Sequence, residues 1–242
     1  MVIKSLKWDS AFFNKKVYAV SAITGADDVA EMENQLLSLS VDVAYVFIAE
    51  ADINLQSLLA KHGAILVDQK LTFYKELLKE QEPPGSDEVS AYNGVLTEEL
   101  INLSLEAGEH SRFKQDPFFS PEFNRLYTTW ISNSLKRLHG NQLFVYKKND
   151  IIKGIVTCKV EDGCGSIGLI ATEKANRGRG IGKKLMNAAE NYFIQNNTFT
   201  STVVTQQANI GACKFYERMG YRQIQKQYVY HWWIKQQHDP LQ

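Results

Sequence analysis

Residues Arg177 to Lys183 read Arg-Gly-Arg-Gly-Ile-Gly-Lys, between a β-like run, Ser166–Ala171, and an amphipathic stretch that predicts a helix over 180–196. Glycines at 178, 180 and 182 remove side chains from the turn, so successive backbone N–H groups can converge on one anion. The start of the following helix adds its positive end, worth ~0.3–1 kcal/mol for a single surface charge. Arg177, Arg179 and Lys183 supply fixed positive charge at the same place. The chemistry this run predicts is a grip on a pyrophosphate.

Two commoner phosphate motifs do not fit. The Walker pattern needs a glycine, four intervening residues, then Gly-Lys and a serine or threonine. Here the first position is Arg177 and the last is Lys184. The dinucleotide string does occur, as Gly163-Cys164-Gly165-Ser166-Ile167-Gly168. The apolar run Ile167–Ala171 follows it, however, where that motif demands a helix. Asp162-Gly163 between two β-rich runs predicts a hairpin turn instead.

A second group of residues stands about thirty positions on. Thr200–Thr205 is β-branched and predicts a buried strand. Asn209 is a good N-cap, and the helical stretch behind it passes Phe215, Tyr216 and Met219 to end at Gly220, a natural C′ residue. Seven residues separate Asn209 from Tyr216, so both lie on one helix face. Tyr216 alone reads as core packing with its hydroxyl bonded to backbone. Spaced behind a phosphate loop, it reads as a functional hydroxyl.

Arg-x-x-Gly-x-Gly at a strand–loop–helix junction, followed by Asn209-x-x-Ala212-x-x-Phe215-Tyr216-x-x-x-Gly220-Tyr221, resembles the acetyl-CoA site of the GNAT N-acetyltransferase superfamily. The resemblance implies an α/β fold of the GNAT type, a mixed and mostly antiparallel sheet flanked by helices. It implies acetyl-CoA as cosubstrate and no metal, with the cofactor held by Arg177, Gly178, Arg179, Gly180, Ile181, Gly182 and Lys183. Asn209, Ala212 and Phe215 would line its arm, and backbone N–H groups around Leu169, Ile170 and Ala171 would serve as oxyanion donors. The hydroxyl of Tyr216 would sit near the thioester sulfur, where loss of positioned acid catalysis is worth ~10²–10⁴-fold.

Two further strings, Leu6-Lys7-Trp8-Asp9-Ser10-Ala11-Phe12-Phe13 and Ser111-Arg112-Phe113, resemble the bacterial dTDP-4-amino-4,6-dideoxygalactose (dTDP-fucosamine) N-acetyltransferases of cell-envelope glycan synthesis. A nucleotide-sugar acceptor brings its own pyrophosphate and a flat base, so its site should offer cations and aromatics. His110-Ser111-Arg112-Phe113-Lys114 with Phe118 and Phe119 has that chemistry. Arg112 could clamp a phosphate bidentately and an aromatic could stack on thymine. The other reading of this segment is a solvated loop that docks its phenylalanines into the core. Ser111-x-x-Lys114 also matches a penicillin-binding serine string, but its companion elements are absent. For removal of the amine proton the candidates are Asp68, at a position where the related sugar acetyltransferases carry a carboxylate, His110, and bulk water. A polyamine site would be lined by carboxylates; Arg112, Lys114 and Arg125 point to an anionic acceptor instead. Acetylation of another small amine or a peptide N-terminus, and non-catalytic acyl-CoA binding, are the competing functions.

Elements must hold these residues in place, and the chain of 242 residues is long enough for a real core. Lys plus Arg balances Asp plus Glu at 27 each, so no net basic field argues for nucleic acid. The N-terminus does not read as a signal peptide and no apolar run spans a membrane, which leads us to expect a cytoplasmic protein. Cys158, Cys164 and Cys213 are scattered thiols, and the five histidines lack metal-ligand spacing. The aromatic run Tyr228–Trp233 makes a homodimer conceivable.

The linker signal is Glu80–Glu88, with Pro83, Pro84 and Gly85. It predicts an N-terminal α/β subdomain on the acceptor side, 1–82, and an acetyltransferase domain, 88–242. In the latter we expect helices over 97–108 and 121–138, strands over 142–147, 151–161 and 166–172, then strand 200–206, helix 209–219 and strand 222–233. In the former, Leu58–Val67 reads helix, glycine, strand, the plan of the C-terminus when Gly63 is aligned with Gly220. Residues 1–80 are therefore either a degenerate partial copy of the catalytic fold without its phosphate loop, or a chance likeness between two helix–turn–strand units.

Overall fold

Ten extended stretches of the chain form one sheet in the computed structural model; the structure describes residues 1–49, 53–79, 87–138 and 141–234. The first half contributes β1 (Val2–Ser5), α1 (Lys7–Phe13), β2 (Val17–Ser21), α2 (Ala26–Ser38), β3 (Val43–Ile48), α3 (Ile53–Lys61) and β4 (Ile65–Glu76). The second contributes β5 (Val89–Ala91), α4 (Glu98–Ala107), α5 (Arg112–Gln115), α6 (Phe123–Leu135), β6 (Gln142–Lys148), β7 (Ile151–Glu161) and β8 (Cys164–Thr172). It ends with α7 (Ile181–Gln195), β9 (Thr200–Gln206), α8 (Ile210–Arg218) and β10 (Arg222–Trp233). The linker signal falls largely on residues 80–86, outside the described residues.

Local chemistry explains the boundaries. Thr97 caps α4 by accepting from the amide of Leu100, and Asn209 caps α8 by accepting from that of Ala212. Asn149-Asp150 and Asp162-Gly163 each place two successive residues at positive φ, the geometry of tight hairpin turns. The Gly163–Gly168 string is therefore a turn and a strand, not a dinucleotide loop.

Strand order across the sheet is β1-β2-β3-β10-β4-β9-β8-β7-β6-β5. Its centre is an exchange: β10 lies between β3 and β4, and β4 lies between β10 and β9. Gly63 and Gly220 are 157 positions apart (220 minus 63), and both take positive φ. The same shift carries α3 onto α8 and β4 onto β10, end for end. It also maps the β4–β10 register onto itself about the pair Lys70↔Gln227: Arg222↔Tyr74 becomes His231↔Ile65, and the two register shifts exchange. So regular a correspondence favours the partial-copy reading over chance. Each half's last strand completes the other half's sheet.

Core clusters cover both faces. Val29, Met32 and Leu36 of α2 and Leu59 of α3 pack on Val46, Tyr230 and Trp232, while α7 and α8 pack on Leu71, Phe73 and Val203. On the other face, Phe13, Phe119 and Tyr127 pack on Tyr45 and Trp233, and α4 and α6 cover Val145 and Ile155. In β10, Tyr230 and Trp232 serve the first face and Trp233 the second, as a two-residue period requires.

Among the described residues one ion pair ties the halves together. Lys75 of β4 lies 2.8 Å from Glu190 of α7, whose side chain is 2 % exposed. Lys75→Ala leaves that carboxylate buried and unpaired, so we expect a loss of about 3 kcal/mol in urea unfolding. Adding Glu190→Gln to Lys75→Ala should recover part of it.

Candidate active site

Gly178 and Gly180 take φ of 76° and 78°, a region other residues enter only under strain, and Gly180 is the N-cap of α7. A side chain built at either would meet nothing within 4 Å, so backbone conformation and open approach, not crowding, require glycine there. Gly182 has a different reason. It already belongs to α7, and a Cβ there would come within 3.2 Å of the ring of Phe215. Its bareness lets α8 close on the helix that starts at the loop. Arg177 is tethered, its Nη2 3.3 Å from Glu106 and its Nε donating to the carbonyl of Thr172 at 3.1 Å. Arg179 and Lys183 are exposed and form no ion pair among the described residues.

The sheet opens beside this loop. Parallel pairing of β8 with β9 runs only from Gly165↔Ser201 to Ile167↔Val203, although β8 continues to Thr172 and β9 to Gln206. Opposite, the β7–β8 register shifts between Val156 and Cys158, and Thr157 Oγ1 accepts from the amide of Leu169 at 2.7 Å. That bond corrects one expectation: the Leu169 amide is occupied and is not an oxyanion donor. In a strand, successive residues direct their amides to opposite edges. One of Ile170 and Ala171 therefore faces the parted edge.

Tyr216 stands behind that opening, 3 % exposed, its ring 5.7 Å from that of Phe73 and 6.2 Å from that of Tyr221. Burial pushes its hydroxyl above the ordinary range, so it stays protonated. Among the described residues the hydroxyl forms no hydrogen bond, contrary to the core-packing expectation that backbone would hold it. Asn209 Oδ1 is spent on its cap at 3.2 Å, which leaves its Nδ2 for a ligand. Ala212 and Phe215 pack on the same core cluster as Tyr216.

On the opposite face lies a polar centre. Ser111 precedes α5 and is 5 % exposed; Arg112 lies over the rings of Tyr45 and Phe113 at 4.9 and 4.5 Å, with its Nε buried and unpartnered. Asp68, on β4, is half-buried, and desolvation raises its carboxyl to about 6, with Arg112, Gln206 and Lys70 pulling the other way. His110 lies in the turn between α4 and α5.

The aromatic expectation for this segment is corrected in part. Phe119 is 1 % exposed and packs on Phe13, Tyr45, His231 and Trp233, so it belongs to the core and cannot stack on a base. Phe113 packs beside it, and only Phe118 is exposed. The cations are also less free than the string suggested: Lys114 pairs with Glu109 and Arg125 with Glu122, both at 2.6 Å. Sequence reasoning missed Asp9, Tyr45, Lys70, Gln206, Asp116 and His231, which gather around Arg112 and Asp68.

Residues 104–221 match the acetyltransferase (GNAT) family model. It is 31% identical over 124 residues to the dTDP-fucosamine acetyltransferase of Escherichia coli O6:H1, covering 50% of this chain and 52% of that one. It is 29% identical over 139 residues to a spore coat polysaccharide biosynthesis protein of Bacillus subtilis, covering 57% and 47%. The chain thus spans about half the length of these curated relatives. A GCN5-related N-acetyltransferase from Sphaerobacter thermophilus superposes with a TM-score of 0.57 at 17% identity, covering 90% of this chain and 73% of that one, which speaks to the fold. Among the described residues no group of three or more His, Cys, Asp and Glu could hold a metal, and no helix is long and apolar enough to cross a membrane.

Proposed function

We propose that this chain acetylates the amino group of a nucleotide-linked 4-amino-4,6-dideoxy sugar, taking the acetyl group from acetyl-CoA. One observation carries the reading. A loop of left-handed glycines at a helix start, a gap between β8 and β9, and the unpartnered hydroxyl of Tyr216 follow one another around α7 and α8. The amides of 178–183 fit a diphosphate, with Arg179 and Lys183 as its counter-charges. Acetyl-CoA bound there supplies the activated acyl group.

The chain's own residues do the rest. Ile170 or Ala171 presents an amide to the carbonyl oxygen. Tyr216 donates a hydrogen bond to sulfur as it gains charge; with its hydroxyl held above the ordinary range, a hydrogen bond suits it better than outright proton loss. Asp68, at about 6, is ionised at neutral pH yet basic enough to take a proton from the amine. The sugar assignment draws its support from the likeness to a dTDP-fucosamine acetyltransferase and to a spore coat polysaccharide biosynthesis protein, and from the polar centre around Asp68.

Thiol release from acetyl-CoA tests the reading, run with dTDP-4-amino-4,6-dideoxygalactose, free amino sugars, spermidine and a peptide. Preference for the nucleotide sugar is the expected result; preference for spermidine or the peptide would move the acceptor class. The loop has its own test. Gly180→Ala forces a Cβ into a left-handed cap, at a cost of about 1–2 kcal/mol to the fold. It should weaken acetyl-CoA binding about tenfold by calorimetry, as one misdirected amide would.

A further inference from the structure

Asp9 of α1, Asp68 and Lys70 of β4, and Arg112 of α5 converge from three separate stretches of chain. Arg112 is within electrostatic reach of the other three. Each of the four is partly buried. Yet among the described residues no ion pair joins any two of them. Burying charges without pairing them is costly, and a fold that needed only stability would close the pairs or replace them with apolar groups. Charges held apart in this way are set for a ligand that comes between them.

The neighbours point the same way. Arg112 Nε, Tyr45 Oη and His231 Nε2 are buried without a hydrogen-bond partner, and the Tyr45 hydroxyl lies toward Asp9 without closing a bond. His231 pairs across strands with Tyr45 and stacks on it at 4.5 Å. Its Nδ1 lies 2.5 Å from Asp116 Oδ2, which also accepts from Trp233 Nε1 at 3.0 Å. Desolvation keeps His231 neutral at ordinary pH, so Nδ1 carries the proton toward Asp116 and Nε2 presents a lone pair. With Ser111 Oγ, buried without a partner beside Arg112, the unpartnered set is one donor, one acceptor, and two hydroxyls that can be either. A hydroxyl group on the ligand matches such a mixed set; an alkyl amine alone does not.

We propose that Asp9 is a second acceptor-contacting carboxylate, accepting hydrogen bonds from the amine or its neighbouring hydroxyl while Asp68 takes the proton. This rests on the acetyltransferase reading and sharpens it: the acceptor carries a hydroxyl next to its amine. It also revises Arg112. Flanked by two carboxylates, its guanidinium suits the sugar better than a pyrophosphate, which those carboxylates would repel.

Asp9→Asn, Asp9→Glu and the parent chain, assayed with dTDP-4-amino-4,6-dideoxygalactose and its 3-deoxy analogue, decide the matter. Loss of a charged hydrogen bond should raise the KM for the hydroxylated sugar about 10–100-fold in Asp9→Asn. The KM for acetyl-CoA and the melting temperature should hold, Asp9→Glu should recover part of the loss, and preference over the 3-deoxy sugar should shrink. An unchanged acceptor KM in Asp9→Asn, or a joint rise in both KM values with a lower melting temperature, overturns the role of Asp9 while leaving the parent reading intact. Absence of turnover by the parent chain with any amine sinks both.

Discussion

Tyr216→Phe is expected to lower kcat about 10²–10⁴-fold while leaving the KM for acetyl-CoA nearly unchanged. The substitution removes one oxygen that no protein group holds, and it keeps the ring that packs on Phe73 and Tyr221. Stability should therefore stay within about 0.5 kcal/mol, since no buried partner is orphaned. Removing a single donor aimed at developing charge costs about 10²–10³-fold in well-studied sites, which places the expected loss in the lower part of that range. Thiol-release kinetics with a thermal melt on the same sample separate the two roles. A tyrosine that only packed would leave kcat untouched. A loss in kcat with an unaltered melt assigns the hydroxyl to the reaction.

The C-terminal half was readable because its signals are local. A left-handed loop needs glycine, a tight hairpin needs residues that accept positive φ, and a run of six rich in β-branched residues has one stable use. Strands β9 and β10 accordingly fall where the residue pattern puts them. The exchange of β4 and β10 leaves no such mark, because which strand lies beside which is settled by contacts between residues some 150 positions apart; only the two glycines hint at it. The polar centre was illegible for the same reason. Asp116 and His231 are 115 residues apart, and Asp9 reaches Arg112 from the first helix. Phe119 misleads because a phenylalanine in a charged string looks exposed, whereas the cavity beside Tyr45 and Trp233 takes it in. Leu169 was a fair choice of donor until the hydroxyl of Thr157, twelve residues earlier, claimed its amide.

Asp68→Asn should show opposite effects on activity and stability, and their pH dependence gives the sign of each. As the base, Asp68 must be ionised, so kcat/KM of the parent chain should fall about tenfold per unit below its value of about 6. In Asp68→Asn that limb should vanish and the plateau drop about 10²–10⁴-fold. For stability, the folded carboxyl titrates near 6 and the unfolded one near its ordinary value of 3.8. Between these the folded chain binds the extra proton, so the contribution of Asp68 is most favourable below 3.8 and is lost as pH rises through 6. Holding the carboxylate ionised at neutral pH therefore costs the fold, by an amount on the order of 1–2 kcal/mol once partial exposure is allowed for. Asp68→Asn relieves that cost. Urea midpoints should thus favour the variant at pH 7 and converge with the parent chain toward pH 4, while thiol release is lost throughout. A carboxylate kept for structure would do the reverse, weakening the fold at neutral pH when neutralised and sparing the rate.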